Sequence, residues 1–234
     1  MKNIILFFAI SVFSFALKAQ NDSTETSPVS FKVDFYSLYL WRGFQYGDVP
    51  SIQPTLEYSF KNLTFGLWGS YAIDASYSEI DIYASYTWKN LTLSVYDYFN
   101  PVTEDGPNRF LNYNSETTTH SIDAIIEWEP EQIPVRLQAA TLVYGDDRNP
   151  ETLNNRYSTY FQAGVYHDFK GHEIELYAGF TPHESYYATK ANFVNVGLKS
   201  KGEISMFKSR IPVSVNFMVN PTNEMAWLAF GVHF

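Results

Sequence analysis

Alternation of apolar and polar residues with a period of two recurs along most of the chain and constrains its fold more than any other feature. Such a run has one apolar and one polar face, as in a β-strand that separates two environments. The stretch YTWKNLTLSVYDYF, residues 86–99, holds two such runs joined by Lys-Asn, and residues 58–73 repeat the arrangement around the same Lys-Asn-Leu-Thr. Alternation interrupted by a short polar pair predicts antiparallel hairpins with tight turns in which Asn and Gly accept a positive φ.

About 12 strands can be delimited in this way between clusters of Gly, Pro, Asn and Asp. Each is near the ~9–11 residues that a tilted strand needs to cross a bilayer. An even number of strands is what an up-and-down barrel requires when both termini lie on one side. The fold class predicted is therefore an all-β transmembrane antiparallel barrel. The predicted strands are residues 31–42, 51–60, 63–73, 78–88, 91–99, 118–129, 133–144, 156–169, 172–182, 190–200, 210–219 and 224–234.

The predicted links are sorted by length. After even-numbered predicted strands they are mostly minimal (61–62, 89–90, 130–132 and 170–171), with 201–209 as a longer exception. After odd-numbered strands they are mostly longer, including 100–119 and 145–155. This pattern is typical of an outer-membrane barrel with short periplasmic turns and longer extracellular loops. A soluble lipocalin-like barrel is the alternative fold, but its lumen would be apolar.

The N-terminal residues differ from the rest. Lys2 precedes an apolar run over residues 4–17, and residues 1–19 are predicted to be a signal peptide that directs export. Residues 20–30 form a polar leader, and residues 31–234 a single barrel domain. The predicted location is the outer membrane of a Gram-negative bacterium. The chain contains no cysteine, so packing, hydrogen bonds or a membrane must stabilise it instead of disulfides.

Aromatic residues make up 18 % of the chain, and several of them mark strand ends. Large rings close the even-numbered predicted strands and stand at both ends of the barrel domain. Amphipathic rings are favoured at the membrane interface, so these residues predict an aromatic girdle at the periplasmic side. Its members are Phe31, Phe60, Trp88, Trp128, Phe169 and Phe234.

The last predicted strand, EMAWLAFGVHF, alternates to a terminal Phe. It resembles the C-terminal signal by which the barrel-assembly machinery recognises outer-membrane proteins. The sequence therefore predicts that machinery and outer-membrane lipid as partners.

The polar faces of the predicted strands carry nine acids against four bases. Charged rings set the ion preference of a pore, so an open lumen is expected to favour cations, unless the charges pair and occlude it. The net charge of −9 argues against nucleic acid as a partner. The pore-lining candidates are Asp34, Arg42, Glu57, Glu79, Asp81, Asp123, Glu127, Arg136, Glu173 and Glu175; Lys32, Asp168 and Lys199 share their face. Arg42 is expected to pair with a carboxylate such as Glu57.

Residues 36–90 resemble the opening of the TorF family, outer-membrane β-barrels named for a porin role. The motifs that carry the resemblance are Trp41-Arg42-Gly43, Gln53-Pro54, Glu57-Tyr58-Ser59, residues 66–70 and residues 79–83. The resemblance implies a barrel and an outer-membrane location, and it brings no catalytic residues.

These features predict a narrow, porin-like channel for small solutes or ions. About 12 strands enclose a lumen between the filled interior of small barrels and the aqueous channel of large porins. The alternatives are an occluded structural barrel and a phospholipase-like barrel enzyme, for which His120, or His183 with Ser185, would be the candidates. The sequence holds no zinc, calcium, phosphate-loop or redox-cysteine pattern, so neither a cofactor nor a metal is expected.

Overall fold

A computed structural model describes residues 27–101, 108–206 and 209–234. The predicted signal peptide and most of the predicted leader lie outside these residues. The described residues form 14 strands and no helix. Among them, no helix is long and apolar enough to cross a membrane. The strands are β1 (Val29–Tyr36), β2 (Tyr39–Trp41), β3 (Phe44–Tyr46), β4 (Ser51–Phe60), β5 (Leu63–Ala72), β6 (Ser78–Trp88), β7 (Leu91–Phe99), β8 (His120–Trp128), β9 (Val135–Gly145), β10 (Thr159–Phe169), β11 (His172–Thr181), β12 (Asn192–Met206), β13 (Ser209–Asn220) and β14 (Met225–His233).

Twelve of these strands form a closed antiparallel barrel, in the order β1-β14-β13-β12-β11-β10-β9-β8-β7-β6-β5-β4. Each barrel strand pairs with its neighbour in sequence, and β1 pairs with β4 on one side and with β14 on the other. The closing seam is short, since the β1–β14 register runs from Asp34↔His233 to Tyr36↔Gly231. The prediction of a 12-strand antiparallel barrel is confirmed.

The link predicted at residues 201–209 is wrong. β12 continues to Met206, β13 begins at Ser209, and these two residues pair. Alternation continues through this stretch, and Gly202 and Pro212 do not interrupt the pairing. All the links at this end of the barrel are therefore short, and the longest of them joins β8 to β9.

The tight turns also differ from expectation in which residue takes the positive φ. Lys61 and Lys89 have φ of 55° and 54°, whereas the Asn that follows each is not among the left-handed residues. A turn with positive φ at its first central position matches the twist of the flanking strands. Asn62 contributes through its side chain instead, because its Nδ2 donates to the Thr87 carbonyl oxygen at 2.8 Å.

The outer face of the barrel is apolar. Large side chains that alternate along the strands point away from the lumen and are exposed, among them Leu56, Leu67, Val95, Phe161, Leu198 and Phe217. A contiguous apolar band of this extent is expected where lipid, and not water, surrounds a barrel. The predicted girdle residues share this outward exposure, with 40–58 % of each exposed: Phe31, Phe60, Trp88, Trp128, Phe169 and Phe234. Their position at a membrane interface stays a prediction.

The predicted first strand, residues 31–42, is wrong in its second half. The barrel strand β1 ends at Tyr36, and β2 pairs with β3 in a separate two-stranded sheet. Because β2 and β3 are rich in the aromatic and apolar residues that are typical of strands, the sequence pattern does not separate this hairpin from the barrel. Its side chains Trp41 and Phe44 pack against a buried cluster of Tyr160, Tyr187, Ala188 and Val194. The hairpin thus lies inside the barrel, and we call residues 39–46 the lumen hairpin.

Candidate functional site

The tip of the lumen hairpin is a two-residue turn in the left-handed region. Arg42 has φ 45° and Gly43 has φ 93°, a combination found in tight hairpins of primed type. A Cβ on residue 43 would stand 2.0 Å from the Val194 carbonyl oxygen, so only glycine fits there. Asn220 Nδ2 donates to the Gly43 carbonyl oxygen at 3.0 Å. The tip is therefore held against β12 and β13.

Arg42 anchors the lumen hairpin through an ion pair and a hydrogen bond. Its guanidinium lies 2.8 Å from Asp123 Oδ2, and the two side chains are only 6 % and 0 % exposed. Arg42 Nη1 also donates to the Tyr187 hydroxyl at 2.7 Å. The prediction that Arg42 pairs with Glu57 is wrong. Arg42 belongs to the lumen hairpin and not to the barrel wall, and it therefore reaches across the lumen to Asp123 on β8.

Aromatic faces complete the surroundings of Arg42. The guanidinium carbon lies 4.6 Å from the Trp41 ring, 5.1 Å from the Tyr160 ring and 6.0 Å from the Tyr187 ring. Cation–π attraction strengthens when water is excluded. Burial also raises the pKa of Tyr187 above its usual range, although the Arg42 cation acts in the opposite direction. Tyr187 therefore stays a neutral hydroxyl that can accept the guanidinium hydrogen.

The loop that joins β11 to β12, residues 182–191, covers the hairpin from the long-loop end. The Tyr186 hydroxyl lies 2.9 Å from the Tyr46 hydroxyl, and the Tyr186 ring packs 5.5 Å from Phe44. Hairpin and loop together fill this end of the lumen with aromatic side chains.

Below the hairpin, towards the short turns, the lumen holds a cavity of about 570 Å³, which we call the chamber. Leu40, Trp41 and Arg42 bound it on the hairpin side. Six of the predicted pore-lining residues border it: Asp34, Arg42, Glu57, Asp81, Glu127 and Glu175. The other four, Glu79, Asp123, Arg136 and Glu173, are not among the residues that line it. Uncharged lining residues that the sequence analysis did not single out include Trp68, Tyr83, Tyr96, Tyr98, Tyr177 and Asn195.

Many of the lumen carboxylates have a cationic partner. Arg136 binds Glu173 through two hydrogen bonds of 2.9 Å and lies 3.3 Å from Glu175 and 3.0 Å from Glu129. Lys32 lies 3.3 Å from Glu57. The excess of nine acids over four bases therefore overstates the free negative charge.

Three predicted pore-lining acids make no ion pair with any residue that the structure describes. Glu79 accepts from the Tyr77 hydroxyl at 2.9 Å, and Glu127 accepts from Gln138 Nε2 at 3.0 Å. Asp81 is 4 % exposed, and its Oδ1 has no hydrogen-bond partner. These three residues are thus the predicted pore-lining acids that lack a cationic partner in the described part of the lumen.

The closing seam carries a hydrogen-bonded triple. His233 Nδ1 lies 2.9 Å from Asp34 Oδ1, and His233 Nε2 lies 3.0 Å from Ser214 Oγ. The triple bridges β1, β14 and β13, and Ser214 lines a second cavity of about 120 Å³ together with Lys199 and Asn216. A base hydrogen-bonded to both a hydroxyl and a carboxylate is the arrangement that activates serine nucleophiles.

The histidines that the sequence suggested for an enzyme do not form such a set. His120 is fully buried, with Nδ1 2.7 Å from Asp97 and Nε2 2.7 Å from the Phe110 carbonyl oxygen. His183 bonds to the Glu184 carbonyl oxygen, and Ser185 Oγ lies 2.8 Å from Thr181 Oγ1. Neither histidine has a serine hydroxyl as a partner within the described ranges.

His120 instead anchors residues 110–113, which precede β8. The Tyr113 ring stacks on it at 4.2 Å, and the Tyr113 hydroxyl donates to Asp97 Oδ2 at 2.6 Å. Burial, and then the hydrogen bond to Asp97, raise the pKa of Tyr113 to about 12. These contacts fix residues 110–113 against the outer end of β7.

Barrel, apolar outer face and polar lumen together define the class of transmembrane β-barrels. Among solved structures, the chain is similar to the COG4313 outer membrane channel from Pseudomonas putida F1, at 12 % identity and a TM-score of 0.42 over 91 % of this chain and 96 % of that one. It is also similar to OccAB3 of Acinetobacter baumannii, at 10 % identity and a TM-score of 0.40 over 91 % of this chain and 65 % of that one. These likenesses are too distant to assign a function.

No protein-family model matches the chain, and no curated protein matches it. The resemblance to the TorF family therefore stays a prediction.

Proposed function

We propose that the chain forms a porin-like channel of the outer membrane, narrow and cation-preferring, through which small solutes or ions pass passively. The observation that carries the proposal is a closed barrel, apolar outside, whose lumen holds an acidic chamber of about 570 Å³. Outer-membrane lipid and the barrel-assembly machinery, through β14, are the partners proposed with it.

Cation preference in this proposal comes from Glu79, Asp81 and Glu127. Confinement between low-dielectric walls strengthens the field of such charges, and the lumen offers them no cationic partner among the described residues. Asp123 contributes little, because the charge of Arg42 cancels its own at 2.8 Å. The selectivity is thus proposed to depend on fewer residues than the polar face contains.

Planar-bilayer recording of the refolded protein across a salt gradient tests both parts. We expect a reversal potential whose sign indicates cation preference. Its magnitude should be smaller in the double variant Asp81→Asn/Glu127→Gln. The control is Glu203→Gln, which removes a half-exposed carboxylate near the short turns and should leave the reversal potential unchanged. An anion-selective wild type would overturn the preference. Absence of conductance at any voltage would favour the occluded structural barrel.

A hydrolytic site is a second candidate, favoured by the Ser214–His233–Asp34 triple. In this role Ser214 would attack an ester carbonyl while His233 Nε2 takes its proton, with Asp34 orienting the ring. Labelling with a fluorophosphonate probe, read by mass spectrometry, should then modify Ser214, and His233→Ala should suppress the reaction. Ser94, a buried serine that lies 2.8 Å from Ser85, is the control hydroxyl. If Ser214 is labelled no faster than Ser94, the triple has only a structural role at the barrel seam.

A further inference from the structure

The chamber has an aromatic wall that runs from its middle to the lumen hairpin. The Tyr83 and Tyr96 rings stack at 4.6 Å with an interplanar angle of 13°. Tyr96 lies 5.7 Å from Tyr98, and Tyr98 lies 5.6 Å from Trp41. The π-faces of such rings carry partial negative charge. The wall therefore presents a surface that attracts cations and also packs against apolar groups.

The chain's own Arg42 demonstrates this chemistry inside the same lumen. Its guanidinium lies among three aromatic rings, the nearest at 4.6 Å, and pairs with Asp123 at 2.8 Å. An organic cation is thus already bound here by aromatic faces together with one carboxylate. The lumen hairpin supplies that cation, so the charge of Asp123 is already balanced by Arg42.

A second carboxylate has the same kind of surroundings but no cation. Asp81 on β6 is in register with Trp68 on β5 and with Tyr98 on β7, and all three side chains line the chamber. Asp81 is 4 % exposed, and the part of the chain that the structure describes offers it no cation and no hydrogen-bond partner for Oδ1. A carboxylate buried without a cation is costly in proteins, and Asp81 lines the chamber, so this position favours a cationic donor that approaches the carboxylate from the chamber.

We propose that the chamber binds a small organic monocation that carries N–H donors, such as a guanidinium or a primary ammonium compound. Its N–H group donates to the carboxylate of Asp81, and its body lies against the chamber-facing parts of Trp68 and Tyr98. The cavity of about 570 Å³ accommodates such a molecule beside the hairpin. This inference rests on the proposed channel role, since it names the class of solute that the channel would admit.

The N–H requirement makes the proposal specific. A quaternary ammonium ion has the charge and the size but no hydrogen to donate, so it gains the cation–π attraction alone. Methylguanidinium should therefore bind at least about tenfold more tightly than tetramethylammonium, because charge-assisted hydrogen bonds are the stronger contribution. Potassium has no hydrogen to donate and no body to pack against the rings, so it should compete weakly.

Equilibrium binding to the refolded barrel tests the proposal without requiring an open pore. Trp41 and Trp68 line the chamber, so their fluorescence reports methylguanidinium, and isothermal titration calorimetry confirms the stoichiometry. We expect saturable binding of one equivalent, weakened about tenfold or more by Asp81→Asn. The matched control is Glu127→Gln, which removes a carboxylate that lines the same chamber; it should weaken binding about threefold or less. Migration of the unheated protein in gels verifies that each variant is folded.

Three results would overturn the inference: no saturable binding by the folded barrel, equal losses in Asp81→Asn and Glu127→Gln, or equal affinity for methylguanidinium and tetramethylammonium. Potassium conductance measured in parallel separates the two proposals. Conductance without binding refutes the organic-cation site and leaves the channel intact, whereas binding without conductance refutes the channel alone.

Discussion

Replacing Arg42 by methionine should release the lumen hairpin and raise the conductance of the barrel. Methionine keeps most of the apolar stem of Arg42 but removes the guanidinium that pairs with Asp123 at 2.8 Å. It also removes the hydrogen bond to the Tyr187 hydroxyl at 2.7 Å. The barrel strands themselves pair through their backbones and should persist.

The size of the effect follows from the burial of the pair. Breaking a buried ion pair by removing one partner costs about 3–5 kcal/mol, because the remaining charge is left without compensation. Asp123 keeps neutral donors such as the Tyr98 hydroxyl at 3.1 Å but no cation, and its Oδ1 has no hydrogen-bond partner among the described residues. With about 1.4 kcal/mol for each factor of ten, the docking equilibrium of the hairpin should shift by a factor of at least about 100.

Single-channel recording of the refolded variants measures this shift as open probability. Asp123→Asn should act in the same direction, because it leaves the Arg42 charge buried and unpaired. The double variant Arg42→Met/Asp123→Asn should be less affected than either single variant, since neither charge remains. Arg210→Met is the control, because this arginine is 80 % exposed and lies 3.6 Å from Glu203, where an ion pair contributes little.

The reasoning would be refuted if Arg42→Met conducted like Arg210→Met while remaining folded. Additive effects of the two single substitutions would also contradict it, because they would show that Arg42 and Asp123 are not coupled. In either case the other contacts of the hairpin would have to hold it in the lumen.

Gly43→Ala should undock the hairpin as well, because its Cβ would meet a carbonyl oxygen at 2.0 Å. Gly171→Ala is the control, because its Cβ meets nothing within 4 Å and it should cost only about 1 kcal/mol of backbone strain. The midpoint of thermal unfolding measures this cost. Deletion of Phe234 should lower the amount of assembled barrel in the outer membrane, and unchanged levels in membrane fractions would contradict its role as an assembly signal. The pKa of Tyr113 is raised to about 12, so its contact with Asp97 should be fully present below pH about 10 and be lost as the pH rises through about 12. A difference titration at 295 nm against Tyr113→Phe checks this, and a transition near pH 10 would show that the contact is absent.

The sequence by itself determined the barrel. Period-two alternation, turn residues and the sorting of link lengths depend on neighbours within a hairpin, and these are close in sequence as well as in space. Most predicted strands, such as residues 51–60, 78–88 and 91–99, agree with β4, β6 and β7 in their bounds. The outward apolar face follows from the same local rule, because successive side chains in a strand point to opposite sides.

Only the tertiary structure decided what occupies the lumen. Residues 39–46 are rich in aromatic and apolar residues, as barrel strands are, so their composition is compatible with the wall and with the interior alike. The choice depends on contacts far apart in the chain: Gly43 against Val194, and Arg42 with Asp123. Local periodicity carries no information on which charges meet across a closed barrel, because strand order and register bring them together only when the barrel closes. For the same physical reason, the sequence identified Asp81 as one acid among nine, and the folded barrel distinguished it as a chamber-lining acid that is 4 % exposed and has no ion pair among the described residues.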